Sequence, residues 1–175
     1  VKGGTLLRDL DDAAQAVGLV CPVGVVSHPG VGGLTLGGGM GRIQRRFGFT
    51  IDSLRSVELV TADGRLVRAS ESESPDLFWA LRGAGANFGV VTMFEFQLHP
   101  FAGVISHGTA VYPGNRVGEV WASFRDFALT APEHIGLAFG IARAADAETP
   151  GFAPGDPVVS IGAYHSGDPE NAAQE

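Results

Sequence analysis

The sequence predicts an α+β fold, an antiparallel or mixed sheet with flanking helices, and three kinds of stretch carry that prediction. Leu54–Val60 and residues 65–69 alternate apolar and polar side chains around Thr61-Ala62-Asp63-Gly64, whose Asp-Gly pair marks a hairpin turn. Residues 74–83 read as a helix with both ends written out: Ser74 to cap it, Pro75 in the first turn, Asp76 facing the positive end of the dipole, and Gly83 to stop it. Two glycine loops, residues 27–41 and 83–89, each adjoin a strand.

The first of these loops organises the chain. Seven of its fifteen residues are Gly, and it holds no Lys, Arg, Asp or Glu. Each interior Gly costs a helix about 1 kcal/mol relative to Ala, so a stable helix is not expected here. The run is also too apolar for a flexible linker. A buried backbone loop that lets something flat or anionic approach the main chain fits the composition, as does a set of tight turns and bulges.

The other elements follow in order. Residues 8–18 read as a helix capped by Asp9 or Asp11 and ended by Gly18. Residues 19–26 are apolar and β-branched, with Pro22 reducing part of the run to a turn or sheet edge. Residues 42–48 suit a short helical turn, and residues 90–98 a strand ending before Pro100. A boundary is expected at residues 99–103. Beyond it the pattern gives strands at 105–112, 135–142 and 158–164, a helix at 117–129, an exposed loop with three Pro at 144–157, and a helix beginning near Ser166. Phe78, Trp79, Phe88, Phe94 and Phe96 are read as core packing.

Composition narrows the function. With 45% hydrophobic and 18% charged residues, the 175-residue chain is a core-forming one. Twelve Lys and Arg against 19 Asp and Glu give a formal net charge of -7, with no basic stripe for nucleic acid or an anionic membrane. No apolar run approaches the roughly 20 residues of a membrane span. The start lacks a secretory signal, and Val1 in place of Met points to a missing beginning; the compartment stays open, with the cytoplasm favoured over secretion. A single cysteine, Cys21, excludes an intrachain disulfide, and the five histidines lack the short spacing of metal-ligand pairs, so no metal is expected.

The phosphate motifs fail on spacing. The third glycine of G-x-G-x-x-G would fall on Thr35 or on Arg42, and no Gly-Lys pair exists for a P-loop. His28, opening the loop, suits either a ligand contact or a turn cap. Cys21 reads as a packed thiol rather than a nucleophile. What remains is two loops of backbone N–H groups brought together by a sheet, a cradle for a large, flat, phosphorylated ligand.

The ordered set Pro29-Gly30-Val31-Gly32-Gly33-Leu34-Thr35-Leu36-Gly37-Gly38-Gly39-Met40-Gly41, Val60-Thr61-Ala62-Asp63-Gly64, Asp76-Leu77-Phe78-Trp79-Ala80-Leu81-Arg82-Gly83 and Asn87-Phe88-Gly89-Val90-Val91-Thr92 resembles the FAD-linked oxidases of the vanillyl-alcohol oxidase type, closest to the berberine-bridge-enzyme-like branch. The resemblance implies that residues 1–102 are the C-terminal part of a two-lobed FAD-binding domain and residues 103–175 the beginning of an α+β substrate domain, each incomplete. It implies that His28, Pro29, Gly30, Val31, Gly32, Gly33, Thr35, Gly37, Gly38, Gly39 and Gly41 run along the pyrophosphate and the isoalloxazine edge. Gly89, Val90 and Val91 would contact the flavin by backbone, with Pro22 and Gly24 near the ribityl or pyrophosphate. The branch's cysteine that bonds the flavin ring aligns with Val26, so that bond is absent, and its role does not pass to Cys21.

The function so implied is hydride transfer from an alcohol, sugar-like or natural-product substrate to FAD, with reoxidation by molecular oxygen or another acceptor. No catalytic residue is assigned: the base, commonly a tyrosine, would lie outside this chain, and neither Tyr112 nor Tyr164 carries a marking motif. Two alternatives stand beside it, a non-catalytic flavin-binding or structural fragment, and a reductase fed by NAD(P)H. Substrate and oligomeric state stay open.

Overall fold

The computed structural model describes residues 1–101, 103–145, 149, 151–168, 170 and 172, and the chain divides into two compact units, Val1–Ala102 and Gly103–Glu175. In the first unit, Leu7–Gln15 forms helix α1, whose inward side chains Leu7, Leu10 and Ala14 recur at helical spacing and are buried. Asp9 secures its start from the third position of the helix, its carboxylate accepting from the Leu6 amide at 3.3 Å. Strand β1 is only Leu19–Val20, since Pro22 follows. Short helices α2 (Val31–Leu36) and α3 (Gln44–Phe47) flank the glycine turn.

The predicted hairpin is present: β2 (Leu54–Val60) pairs antiparallel with β3 (Leu66–Ser70), from Val60 opposite Leu66 to Ser56 opposite Ser70. Helix α4 (Pro75–Ala84) follows, then β4 (Val90–Phe96), which pairs antiparallel with the other edge of β2. The opening residues extend this sheet, the Gly3 amide donating to Thr92 O at 2.9 Å and the Phe94 amide to Val1 O at 2.8 Å. Strand β5 (His99–Pro100) turns back to pair with β1. One face of the sheet is covered by α4: Val57, Leu59, Ala69 and Phe94 are buried with Phe78 and Leu81. Burial of side chains of that size is worth about 1.5–3 kcal/mol each.

Three expectations are corrected. Residues 31–36 are helical despite Gly32 and Gly33, because Val31 and Thr35 are wholly buried on one side of α2 and tertiary packing outweighs propensity. The loop is accordingly not buried throughout; Ser27, His28, Gly30, Gly33, Gly37 and Met40 are exposed. Ser74 gives no side-chain cap: it sits at φ 50°, and Ser70 Oγ accepts instead from the Ser72 and Glu73 amides. Among the five aromatics assigned to the core, Phe78 and Phe94 are buried and Phe96 partly so, but Trp79 is 78% and Phe88 38% exposed.

In the second unit β6 (Ser106–Pro113), β8 (Pro157–His165) and β7 (Ile135–Arg143) form an antiparallel sheet in the order β6-β8-β7. Helix α5 (Val117–Thr130) packs Trp121 and Phe124 on Phe139, with ring centroids 5.1 and 5.3 Å away. These elements lie within two residues of the predicted ones. Of the predicted 144–157 loop, residues 146–148 and 150 lie outside the described residues, as do 169, 171 and 173–175 of the helix expected after Ser166.

Candidate functional site

The first wall is residues 22–41. Its entry is tied to α1: the Leu7 amide donates to Pro29 O at 2.9 Å and the Arg8 amide to Ser27 O at 3.0 Å. The Val31 amide donates to Thr5 O at 2.8 Å, which fixes the start of α2. Within α2 the two glycines differ. A Cβ on Gly32 would stand 3.1 Å from Gly3 O and 3.6 Å from the Phe94 ring, so packing explains that glycine. A Cβ on Gly33 would meet nothing within 4 Å, and the residue is helical, so nothing inside the chain requires glycine there.

The turn that follows is inverted by Gly38 at φ 108° and Gly39 at φ 79°. Their carbonyls face inward, where the Ile51 amide donates to Gly38 O and the Thr50 amide to Gly39 O, both at 3.0 Å. Thr50 Oγ1 also donates to Pro22 O, at 2.5 Å, binding residues 22–24 to the back of the turn. Among the described residues, the Gly39, Met40 and Gly41 amides donate to no backbone carbonyl. Three adjacent N–H groups are thus left for an acceptor outside the chain. Gly24 and Gly41 are packing positions: a Cβ on the first would lie 2.7 Å from Leu34 Cδ1, and one on the second would strike Val23 O. Thr35 Oγ1 is buried and has no hydrogen-bond partner among the described residues.

The second wall is the start of β4. Gly85, in the 3-10 turn Gly85–Asn87, abuts the end of α2; a Cβ there would be 2.8 Å from Leu36 Cβ. Gly89 (φ 146°) lies against Val60 O, and Val90 exposes its side chain while Val91 buries its own. The two walls also meet through the opening segment. Gly32 rests on Gly3, and Gly3 rests on Val91, where a Cβ would strike Val91 O.

The predicted residues Pro22, Gly24, Pro29, Gly30, Val31, Gly32, Gly33, Thr35, Gly37, Gly38, Gly39, Gly41, Gly89, Val90 and Val91 therefore belong to two connected walls. His28 sits at the entry, exposed. Cys21 is buried behind the first wall, and burial, aided by the Asp11 charge, pushes its thiol up to about 12, which removes it as a nucleophile. His107, His134, His165, Tyr112 and Tyr164 belong to the second unit. Thr5 and Thr50, which hold the walls, went unnoticed in the sequence, and nothing in their spacing marks them; Gly85 lay within the predicted 83–89 loop without a role of its own. A cavity of about 440 Å³ lined by Val1, Leu10, Ser56, Arg68, Phe94 and Glu95, among others, contains none of the predicted site residues. Among the described residues no cluster of His, Cys, Asp and Glu could hold a metal, and no helix is long and apolar enough to cross a membrane.

Residues 1–70 match the family described as FAD binding domain. An FAD-linked oxidoreductase of Dictyostelium discoideum is 47% identical over 113 residues, covering 65% of this chain and 25% of that protein. Among solved structures, 6-hydroxy-D-nicotine oxidase from Arthrobacter nicotinovorans matches with a TM-score of 0.84 at 30% identity, over 99% of this chain and 37% of that one. The BBE-like 1 protein of Physcomitrella patens matches with a TM-score of 0.83 at 28% identity, over 99% and 36%. The chain thus spans about a quarter to just over a third of the length of these proteins.

Proposed function

We propose that the chain is part of an FAD-linked oxidoreductase with FAD as cofactor, that its first unit is the C-terminal part of the FAD-binding domain of an oxidase or dehydrogenase, and that its second unit is the beginning of the substrate domain. The observation that carries the reading is Gly33. Gly24, Gly32 and Gly41 are explained by protein atoms, and Gly38 and Gly39 by a positive φ, whereas Gly33 is helical, meets nothing within 4 Å, and stands beside a turn in which the Gly39, Met40 and Gly41 amides donate to no backbone carbonyl among the described residues. A ligand lying against that side explains why no side chain is there.

In this reading the Gly39, Met40 and Gly41 amides donate to the pyrophosphate or to the flavin's polar edge. Gly33 and Gly38 leave room for the ligand, and Gly89, Val90 and Val91 supply the facing backbone. Pro22 and Gly24 back the turn near the ribityl or pyrophosphate, Gly30 and Thr35 bracket α2, and His28 with Pro29 form the rim. The chemistry supplied by FAD when bound is acceptance of a hydride from a substrate C–H bond, with reoxidation by molecular oxygen or another acceptor. The substrate is a small alcohol, sugar-like compound or natural product; 6-hydroxy-D-nicotine oxidase bears the name of one natural-product substrate. A formal net charge of -7 argues against nucleic acid as a partner.

The test is a pair of substitutions in the full-length protein. Gly33→Ala stabilises the flavin-free form by up to about 1 kcal/mol through helix propensity. Gly33→Val, with a bulkier side chain on the open side, weakens FAD retention at least tenfold, read from the visible flavin absorbance that survives gel filtration. Unchanged flavin content in the valine variant overturns the reading.

A further inference from the structure

Met40 stands in the glycine turn between two residues whose main chain is pinned on the inner side. Gly39 O accepts from the Thr50 amide at 3.0 Å, and a Cβ on Gly39 would strike the Thr50 side chain. Gly41 rests on Val23, where a Cβ would strike Val23 O. The carbonyl of Met40 itself is directed towards Gly24, whose Cβ would lie 3.7 Å from it. The thioether is left outside, and Met40 is 67% exposed. The chain has one other methionine, Met93 in β4, which pairs with Glu58 and bridges to Lys2, and which is 44% exposed.

A thioether takes an oxygen atom from hydrogen peroxide. An S–O bond forms as the O–O bond breaks, the sulfur is oxidised by two electrons, and the reduced peroxide leaves as water. The product differs in the property that matters at this turn. A thioether sulfur is a weak hydrogen-bond acceptor on a flexible apolar chain, whereas the sulfoxide is polar and carries an acceptor oxygen. Met40 is the middle one of three residues, Gly39, Met40 and Gly41, whose amides donate to no backbone carbonyl among the described residues. Oxidation therefore adds an acceptor where the turn has donors to fill, and adds bulk on the side from which a ligand would approach.

We propose that Met40 is an oxidation site that controls flavin loading: in the flavin-free protein hydrogen peroxide converts it to the sulfoxide, and the sulfoxide closes the turn to FAD. The inference rests on the reading of this turn as one wall of the flavin site. With FAD bound, the three amides are engaged and the same side of the turn is covered, so the loaded protein is protected and the empty one is not. Where molecular oxygen is the electron acceptor, its two-electron reduction supplies the peroxide. Met93, on a paired strand away from the turn, has no part in the effect.

The test uses the full-length protein in two forms, FAD-loaded and flavin-free, the latter from riboflavin-starved cells. Each is treated with hydrogen peroxide, and the gain of one oxygen at Met40 and at Met93 is followed by peptide mass spectrometry. FAD uptake is read from the flavin absorbance that survives gel filtration. In the flavin-free form Met40 gains oxygen several-fold faster than Met93, and in the loaded form it is protected. The oxidised flavin-free protein then takes up several-fold less FAD, whereas Met40→Leu takes up as much after peroxide as before it. Equal rates at the two methionines, an unprotected Met40 in the loaded form, or the same loss of uptake in Met40→Leu overturns the proposal and leaves the flavin reading standing. A native, untreated protein that takes up no FAD fails the flavin reading, and this inference with it. If Met40→Leu does not fold, methionine sulfoxide reductase decides: uptake regained as the Met40 oxygen is removed upholds the site, and uptake not regained overturns it.

Discussion

Thr50 does more for the glycine turn than any residue within it. Its amide holds Gly39 O, its hydroxyl holds Pro22 O, and its side chain occupies the place where a Cβ on Gly39 would fall. Thr50→Val keeps the shape and removes the hydroxyl, leaving the Pro22 carbonyl without its donor, so a loss of about 1–3 kcal/mol is expected from urea unfolding. Cys21 behaves in the opposite manner, as an inert filler. With its thiol pushed up to about 12, it resists iodoacetamide at pH 8 until urea unfolds the first unit, and labelling of the native protein would contradict its burial. The sequence identified Cys21 correctly as packing, because a lone apolar-flanked thiol has few other uses. It said nothing of Thr50, whose role depends on residues 11 and 28 positions away.

At the scale of elements, the hairpin at Thr61–Gly64 and helix α4 were legible because their signals are local: an Asp-Gly turn between alternating runs, and Pro75 in a first turn. Helix α2 was illegible for the converse reason. Val31 packs with Leu7, Leu10 and Cys21 while Gly32 rests against Gly3 and Phe94, and a propensity scale sees none of these. The same limit applies to Trp79, which reads as core by type yet projects outward from α4. The glycines show what composition alone leaves unresolved. Seven in one run look alike in the sequence, but their neighbours sort them into those that other protein atoms require and those, such as Gly33, that they do not.

Over the whole molecule, the two units are unequally finished. The first carries two clusters of buried apolar side chains, whereas the buried apolar residues of the second, among the described ones, are only Val120, Ala131, Ile135, Ala144, Val158 and Val159. A unit with so small a core has the smaller margin against unfolding. Limited proteolysis of the 175-residue chain should therefore consume residues 103–175 first and leave a resistant piece ending near residue 102, identified by its mass. Earlier loss of the first unit would refute this order.

The layering of Gly32 on Gly3 and Gly3 on Val91 has a consequence for tolerance. Where side chains separate two parts of a protein, the gap between them can relax by rotamer changes. Here main chain rests on main chain, so the separation of the two walls is set by bond lengths and atomic radii, like a shim of fixed thickness. Substitutions in the surrounding core should leave that gauge unchanged, and a methyl group added to Gly3 would push α2 and β4 apart as one rigid displacement.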